Sequence, residues 1–388
     1  MIDASLMACP PSRWTRRPST PEGRWARLGP YYAMFPLEFA EDAILGFTEP
    51  GQLIVDPFCG RGTVPYVAMV TGRASIACDI NPVAWVYAMT KTSPASDLGV
   101  LLERVGEVQG AIVAGDEVAE NDFQSLAFCP AVLAYINSAR RVLKWRTNAI
   151  DRCVAAFLVH YLHSKLGEGL SNQMRHSKAM SPKYCVQWWR KHGLTAAPLL
   201  DPVEFLKAKI RWRYAKGLPQ QTETRAIDIG LGDAAAALPA SSQQAELVVT
   251  SPPYSGITDY RTDSWLRLWA LGEGPSLPTW HTQQKYVHLE NYTAMVRRAF
   301  AATNEICTAD CTWLVRSDAR PRTRNVLESL LLEIAGERGV YALSAPFSSA
   351  TQTALYGDTS PKPGEIDLLI PPADKCRIPA GFEPIDQR

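Results

Sequence analysis

Short apolar runs separated by helical patterns dominate two parts of this chain. One run, from Leu53 to Val55, precedes an aspartate, a second begins at Ala74 and ends at Asp79, and a third covers 247–250. Such runs are typical of strands buried on both faces of a parallel sheet. With further strands expected near 225–230, 312–316 and 364–370, the pattern predicts an open α/β sheet. Ligands bind such sheets at the carboxyl ends of the strands.

A different pattern occupies the middle of the chain. Residues 101–113, 130–145 and 151–166 carry apolar positions at helical spacing, and alternation typical of strands is scarce. The sequence therefore predicts an irregular basic arm over 1–30, a catalytic domain formed by 31–95 and 221–388, and a largely helical insertion over 96–220. The insertion is expected to project from the ligand-binding edge of the sheet or to pack beside it.

Charge changes this picture. The whole chain has a net charge of +1, but residues 138–216 contain 16 Lys or Arg and 4 Asp or Glu. This segment therefore carries +12 and the rest of the chain −11. An asymmetry of this size indicates a polyanion-binding segment inside an otherwise acidic protein.

Composition excludes several classes of protein. No apolar run approaches the roughly 20 residues that a membrane helix needs, and no secretory signal begins the sequence. The 9 Cys lack paired spacing, and His160 with His163 supplies too few ligands for a zinc site. We expect a cytoplasmic protein without a metal site.

The first candidate site is the turn after the first strand. Asp56-Pro57-Phe58-Cys59-Gly60-Arg61-Gly62-Thr63 contains two glycines that permit close backbone approach to a ligand. Asp79 follows about 20 residues later, where an acid accepts hydrogen bonds from ribose hydroxyls. Pro65 stands where a dinucleotide motif has its third glycine, so the turn favours a smaller nucleoside cofactor. A generic α/β turn without cofactor is the alternative.

The second candidate site is Ser251-Pro252-Pro253-Tyr254, which follows the third apolar run. The two prolines stiffen the turn and remove two backbone donors. The remaining carbonyls, the serine hydroxyl and the aromatic ring suit a planar ring that carries an exocyclic amine. The alternative is a proline-rich turn with a tyrosine in the core.

Together these two motifs resemble those of the amino-group DNA methyltransferases that use S-adenosylmethionine. Tyr31–Pro36 is similar to the segment that precedes the cofactor strand in that family, and Gly232-Asp233-Ala234 is similar to its adenine-contacting turn. The resemblance covers roughly 30–95 and 225–370, and it implies a Rossmann-like class I methyltransferase sheet. It assigns catalysis to Ser251, Pro252, Pro253 and Tyr254. It assigns cofactor binding to Tyr32, Asp56, Phe58, Gly60, Gly62, Thr63, Asp79 and Asp233, with Asp56 near the methionine ammonium.

The form Ser-Pro-Pro-Tyr implies transfer of a methyl group to cytosine N4 of a base flipped out of double-stranded DNA. Such an enzyme is either solitary or the partner of a cognate restriction nuclease or another defence component. Three alternatives stay open, namely methylation of adenine N6, methylation of guanine N2 in RNA, and an inactive DNA-binding protein with a methyltransferase fold.

Nucleic-acid contact is expected in the insertion. Basic residues alternate there with Trp188, Trp189 and Trp212, as suits phosphate contact combined with base stacking. The candidates are Lys183, Arg190, Lys191, Lys209, Arg211 and Arg213. The alternative is that the tryptophans pack a small core while the charges face water.

Overall fold

The computed structural model describes residues 19–30, 36–220, 226–256, 259–275, 277, 286–345, 364–374 and 378–385. Within these ranges the strands are β1 (Leu53–Asp56), β2 (Ala74–Asp79), β3 (Ile227–Leu231), β4 (Ala245–Thr250), β5 (Cys307–Asp318), β6 (Tyr341–Ala345), β7 (Glu365–Ile370) and β8 (Glu383–Pro384). The helices are α1 (Pro21–Ala26), α2 (Leu37–Phe47), α3 (Thr63–Val70), α4 (Pro82–Thr92), α5 (Leu98–Gly110), α6 (Asp122–Ala127), α7 (Pro130–Val142), α8 (Ala149–Tyr161), α9 (Pro182–Lys191), α10 (Pro202–Tyr214), α11 (Ala234–Ala237), α12 (Tyr260–Asp263), α13 (Trp265–Ala270), α14 (Leu289–Asn304) and α15 (Pro321–Ala335).

The described strands form one sheet in the order β3-β2-β1-β4-β5-β7-β6-β8. Strands β3, β2, β1, β4 and β5 are parallel, whereas β7 runs antiparallel to β5 and β6. The strand order reverses between β1 and β4, and open α/β sheets place their ligand crevice at such a switch point. The predicted fold class, a Rossmann-like sheet of the class I methyltransferase kind with a helical insertion, is confirmed. Strands β6 and β8 and helix α14 were not predicted.

The insertion packs on the helical layer that covers one face of the sheet, mainly through α8 against α4. Residues 80–220, all of which the structure describes, contain helices and no strand. Buried side chains of α5, α7, α8 and α10 share a single hydrophobic core with α3, α4 and that sheet face. Two buried tryptophans extend these connections. Trp85 of α4 donates to the carbonyl of Ile229 at 2.8 Å, and Trp145 donates to the carbonyl of Leu271 at 3.1 Å. The insertion was expected either to project from the ligand-binding edge of the sheet or to pack beside it, and the structure shows the second arrangement.

The insertion helices begin where the sequence supplies caps. Asp97, Asn148, Ser181 and Asp201 each accept a backbone N–H of the first turn of α5, α8, α9 and α10, respectively. These bonds satisfy donors that a helix start otherwise leaves unpaired. The opposite face of the sheet is covered by α14 and α15, whose apolar sides form a second core with β4, β5 and β7.

Gly62 fixes how closely α3 approaches α4. It caps α3 with φ of 75°, and a Cβ there would lie 2.6 Å from the Cβ and 2.8 Å from the Cα of Ala88. We therefore expect Gly62→Ala to destabilise the fold by about 1–3 kcal/mol, because the backbone of α4 must shift. Gly110→Ala, where a Cβ meets no atom within 4 Å, is the matched control and should cost nothing. Urea unfolding of both variants tests this, and equal stabilities would contradict it.

Candidate functional site

The backbone of the turn after β1 forms hydrogen bonds with the end of β2. The N–H of Cys59 donates to the carbonyl of Cys78 at 3.0 Å, and the N–H of Gly60 donates to Asp79 Oδ2 at 2.8 Å. Gly60 and Gly62 both have left-handed backbone angles, with φ of 52° and 75°. Only glycine adopts such angles readily, which explains why the turn has glycine at both positions.

Asp79 ends β2 as the resemblance implied. Its Oδ1 accepts the N–H of Asn81 at 2.7 Å while Oδ2 accepts the N–H of Gly60, and the half-buried carboxylate lines a cleft at the carboxyl edge of the sheet. Burial raises the pKa of Asp79 to about 6, against the lowering effect of those two hydrogen bonds. The carboxylate is thus held rigidly at the carboxyl edge of the sheet.

Asp56 ends β1 behind the cleft. Its side chain is fully buried, is not among the residues that line the cleft, and accepts at Oδ1 from the Phe58 N–H (3.1 Å) and the Thr250 hydroxyl (2.7 Å). The carboxylate thus joins the ends of β1 and β4, and its place near the methionine ammonium stays a prediction. Burial raises its pKa to about 7, although both hydrogen bonds oppose the rise.

The second predicted turn lies directly beyond Thr250. All four residues from Ser251 to Tyr254 line the same cleft as Gly60 and Asp79. The phenol of Tyr254 shares a hydrogen bond with the Ser251 side chain, while burial raises the pKa of the phenol above its ordinary value. Tyr254 is therefore neutral at ordinary pH, and its ring is only partly buried.

The cleft has a volume of about 500 Å³. Phe58 and Asp233 also line it, and Asp233 caps α11 by accepting the Ala235 N–H at 3.0 Å. Arg298 Nη2 lies 3.7 Å from Asp233 Oδ2. The two predicted sites are thus parts of a single cavity.

Several lining residues were missed by sequence reasoning. Tyr260 of α12 lines the cleft, as do residues of α14, a helix that was not predicted. The missed residues on and just before α14 are Tyr286, Val287, His288, Asn291, Ala294, Met295, Arg298 and Ala299. The last five recur at helical spacing, which is a signal that periodicity could have found.

Other predicted cofactor residues lie outside the cleft. Gly62 and Thr63 do not line it, and Thr63 is buried at the start of α3. The close contact of Gly62 with Ala88 gives that glycine a packing role. Tyr32 lies outside the described residues.

The predicted nucleic-acid residues divide by exposure. Lys183, Arg190, Lys191 and Arg211 are exposed, and we call these four the basic surface. Arg190 also pairs with Asp122 at 2.8 Å. Half-buried Lys209 lies over the rings of Tyr161 and Phe205.

Arg213 requires a correction. Only 2% of it is exposed, and its guanidinium donates to the carbonyl of Arg24, so it does not reach a nucleic acid. Trp189 is likewise fully buried, whereas Trp212 is 43% exposed. The alternative interpretation, in which the tryptophans pack the insertion, therefore holds for Trp189. Among the described residues, no helix is both long enough and apolar enough to cross a bilayer.

Part of the chain matches known proteins. Residues 10–89 match a family of N6/N4 methyltransferases described as DNA methylase. The resemblance to amino-group DNA methyltransferases is confirmed over this stretch. The Type II methyltransferase M.Cfr9I of Citrobacter freundii is 39% identical over 54 residues, and the Type II methyltransferase M.XycI of Xanthomonas campestris pv. cyanopsidis is 37% identical over 54 residues. Each match covers 14% of this chain and 18% of the relative, so the chain spans less than a fifth of the relatives it matches.

A solved structure of the rRNA methyltransferase aviRa from Streptomyces viridochromogenes is 14% identical, with a TM-score of 0.29. That alignment covers 82% of this chain and 83% of aviRa.

S-adenosylmethionine, the expected cofactor, is confirmed by the matched family. The residues present fit this molecule. A carboxylate at the end of β2 can accept both ribose hydroxyls, and the glycine turn leaves room for a ligand beside its backbone. Asp233 at the end of β3 offers an acceptor to an adenine amine.

Asp56 predicts a pH dependence of stability. Because its folded pKa of about 7 exceeds the value of about 3.9 in an unfolded chain, only the folded protein holds this proton between those values. The free energy of unfolding should therefore fall as pH rises from about 4 to about 7. Asp56→Asn retains an acceptor oxygen and should remove the part of this decline that Asp56 contributes. Urea unfolding across this window measures it, with Asp228→Asn, at an exposed carboxylate in β3, as the control. A difference between wild type and Asp56→Asn that stays constant with pH would contradict the prediction.

Proposed function

We propose that this chain transfers a methyl group from S-adenosylmethionine to the exocyclic amine of a base in double-stranded DNA, and that this amine is cytosine N4. The observation that carries the proposal is that the turn after β1 and the turn after β4 line one cleft. Support for DNA comes from the matched methylase family and from the Type II methyltransferases among the relatives. Support for cytosine comes from serine in front of Pro252-Pro253-Tyr254.

The cofactor side of the cleft provides binding and orientation. Asp79 accepts from the ribose hydroxyls, Asp233 accepts from the adenine amine, and the turn at Gly60 lies beside the methionine part. When bound, S-adenosylmethionine supplies an electrophilic methyl group on a sulfonium sulfur. Asp56 acts from behind this surface by holding the β1 turn to Thr250.

The base side of the cleft prepares the nucleophile. An exocyclic amine is a weak nucleophile because its lone pair delocalises into the ring. The Ser251 hydroxyl and the carbonyl of Pro252 accept its two N–H groups, which favours a pyramidal nitrogen with its lone pair directed at the methyl group. Tyr254 stacks on the ring. Catalysis then rests on proximity and electrostatic placement.

The duplex is held by the basic surface of the insertion. A buried base must rotate out of the stack to reach Ser251, and phosphate contacts fix the position of the duplex while it does so. The cations of the basic surface lie on the insertion packed beside the sheet, and Arg211 neighbours the exposed Trp212.

Methyl transfer by the purified chain tests the proposed reaction. With labelled S-adenosylmethionine and duplex DNA, we expect N4-methylcytosine among the digested nucleosides, identified by mass spectrometry. Ser251→Ala should lower the rate about a hundredfold, because one group that positions the amine is lost, while cofactor binding is retained. Ser125→Ala, at an exposed serine of α6, is the control and should keep full activity.

Any other outcome identifies which part of the proposed function is wrong. N6-methyladenine alone would contradict the choice of cytosine. Label in RNA but not in DNA would contradict the choice of DNA. Full activity of Ser251→Ala would contradict the assigned catalytic turn.

Salt dependence tests the basic surface. We expect the triple variant Lys183→Gln, Lys191→Gln, Arg211→Gln to bind DNA more weakly at every sequence. Its slope of log affinity against log salt should be smaller by about 3, because each lost phosphate contact removes about one counterion from the slope. Fluorescence anisotropy measures both. Arg297→Gln is the control, since Arg297 is exposed, pairs with Glu333 and lies outside the insertion. An unchanged slope in the triple variant would place DNA elsewhere.

A further inference from the structure

Arg316 of β5 lies next to the catalytic turn. Thr250 of β4 is in register with Val315 of β5, so the following residues, Ser251 and Arg316, lie at the same level on neighbouring strands. Adjacent strands are about 4.8 Å apart. Val249 and Leu314, two residues earlier, pack into the same core, so alternation directs Ser251 and Arg316 to one side of the sheet.

The guanidinium of Arg316 is clamped on two sides. Nε and Nη2 each lie 2.7 Å from an oxygen of Asp367, its register partner on β7. The ring of Phe39 from α2 lies 3.7 Å from the guanidinium carbon. The side chains of Arg316 and Asp367 are only 14% and 5% exposed. A planar fork bound to both oxygens of a carboxylate has one orientation, which a lysine cannot reproduce.

The charges around Arg316 act on Tyr254. After burial, the groups that change the pKa of this phenol are Glu365 and Asp318, which raise it, and Ser251 and Arg316, which lower it. Arg316 Nη1 also lies 3.6 Å from Glu365. Arg316 therefore pairs with Asp367 and Glu365, and it is one of the charged groups that act on Tyr254.

We propose that Arg316 is a positioning residue that, clamped by Asp367 and Phe39, fixes the orientation of Ser251 and Tyr254 for methyl transfer. This inference rests on the proposed function, because the orientation of the turn matters only if the turn binds the target amine. Neither Arg316 nor Asp367 lines the cleft, so the effect passes through the turn.

The test compares two ion pairs of similar burial. Arg316→Lys removes the fork but keeps the charge, and it should lower the single-turnover rate about ten- to a hundredfold through misplacement of the turn. The affinity for S-adenosylmethionine should not change. Arg104→Lys is the matched control, because Arg104 pairs with Asp151 at 2.7 Å in the insertion with 24% and 6% exposure. It should leave the rate unchanged.

A double variant separates positioning from stability. Arg316→Met with Asp367→Leu replaces the buried pair by apolar side chains, an exchange that usually preserves stability. We expect a melting temperature near that of the wild type and a rate as low as that of Arg316→Lys. A double variant with both the rate and the melting temperature of the wild type would overturn the inference. A fully active Arg316→Lys would overturn it as well.

The activity of the wild type separates failure of the proposed function from failure of the inference about Arg316. If it transfers no methyl group to any nucleic acid, the proposed function fails and this inference fails with it. If it is active while the Arg316 variants are equally active, only the inference fails.

Discussion

The buried carboxylate of Asp56 is the interaction on which the cleft depends. It ends β1 and accepts the hydroxyl of Thr250 at the end of β4, 194 residues away in the chain. The same oxygen accepts the N–H of Phe58 and so sets the start of the turn after β1. Because the two turns leave the sheet from these strand ends, this bond adds to the backbone pairing of β1 with β4 in holding the cofactor turn beside the Ser251 turn. A rigid distance of this kind is what transfer between two bound molecules requires.

Burial makes this arrangement sensitive to protonation. Desolvation raises the pKa of Asp56 to about 7 and that of Asp79 to about 6. Both groups are held by backbone N–H donors, which favour the charged form and keep the shifts from being larger. The glycine turn supplies one of these donors at Gly60. Its backbone path therefore serves the electrostatics of the site as well as its shape.

The local pattern of apolar residues was sufficient to predict the strands but not the side-chain contacts between them. Strands β1 and β4 could be predicted from the runs at 53–55 and 247–250, because a strand buried on both faces is mostly apolar. The partner of Asp56 could not, since no local rule connects residues so far apart in sequence. For the same reason the Arg316–Asp367 pair was invisible, as it depends on β7 lying antiparallel beside β5. Asp79 was placed correctly because the acid at the end of the second strand is itself a local feature.

Charge counting predicted a polyanion-binding segment but not which side chains face the solvent. Arg213 belongs to the basic block, yet it is buried and donates to a backbone carbonyl. Its guanidinium also lies over the rings of Phe157 and Trp212, which favour a cation in a buried position. Exposure depends on helix packing, which composition does not encode.

The most direct test of the central claim is long-read sequencing of DNA from a methylation-free host that expresses this chain or its Ser251→Ala variant. We expect modified cytosine at one short sequence motif with the wild type and none with the variant. The same modification with both proteins would contradict the role of the Ser251 turn. Unmodified DNA with the wild type would contradict DNA methylation itself.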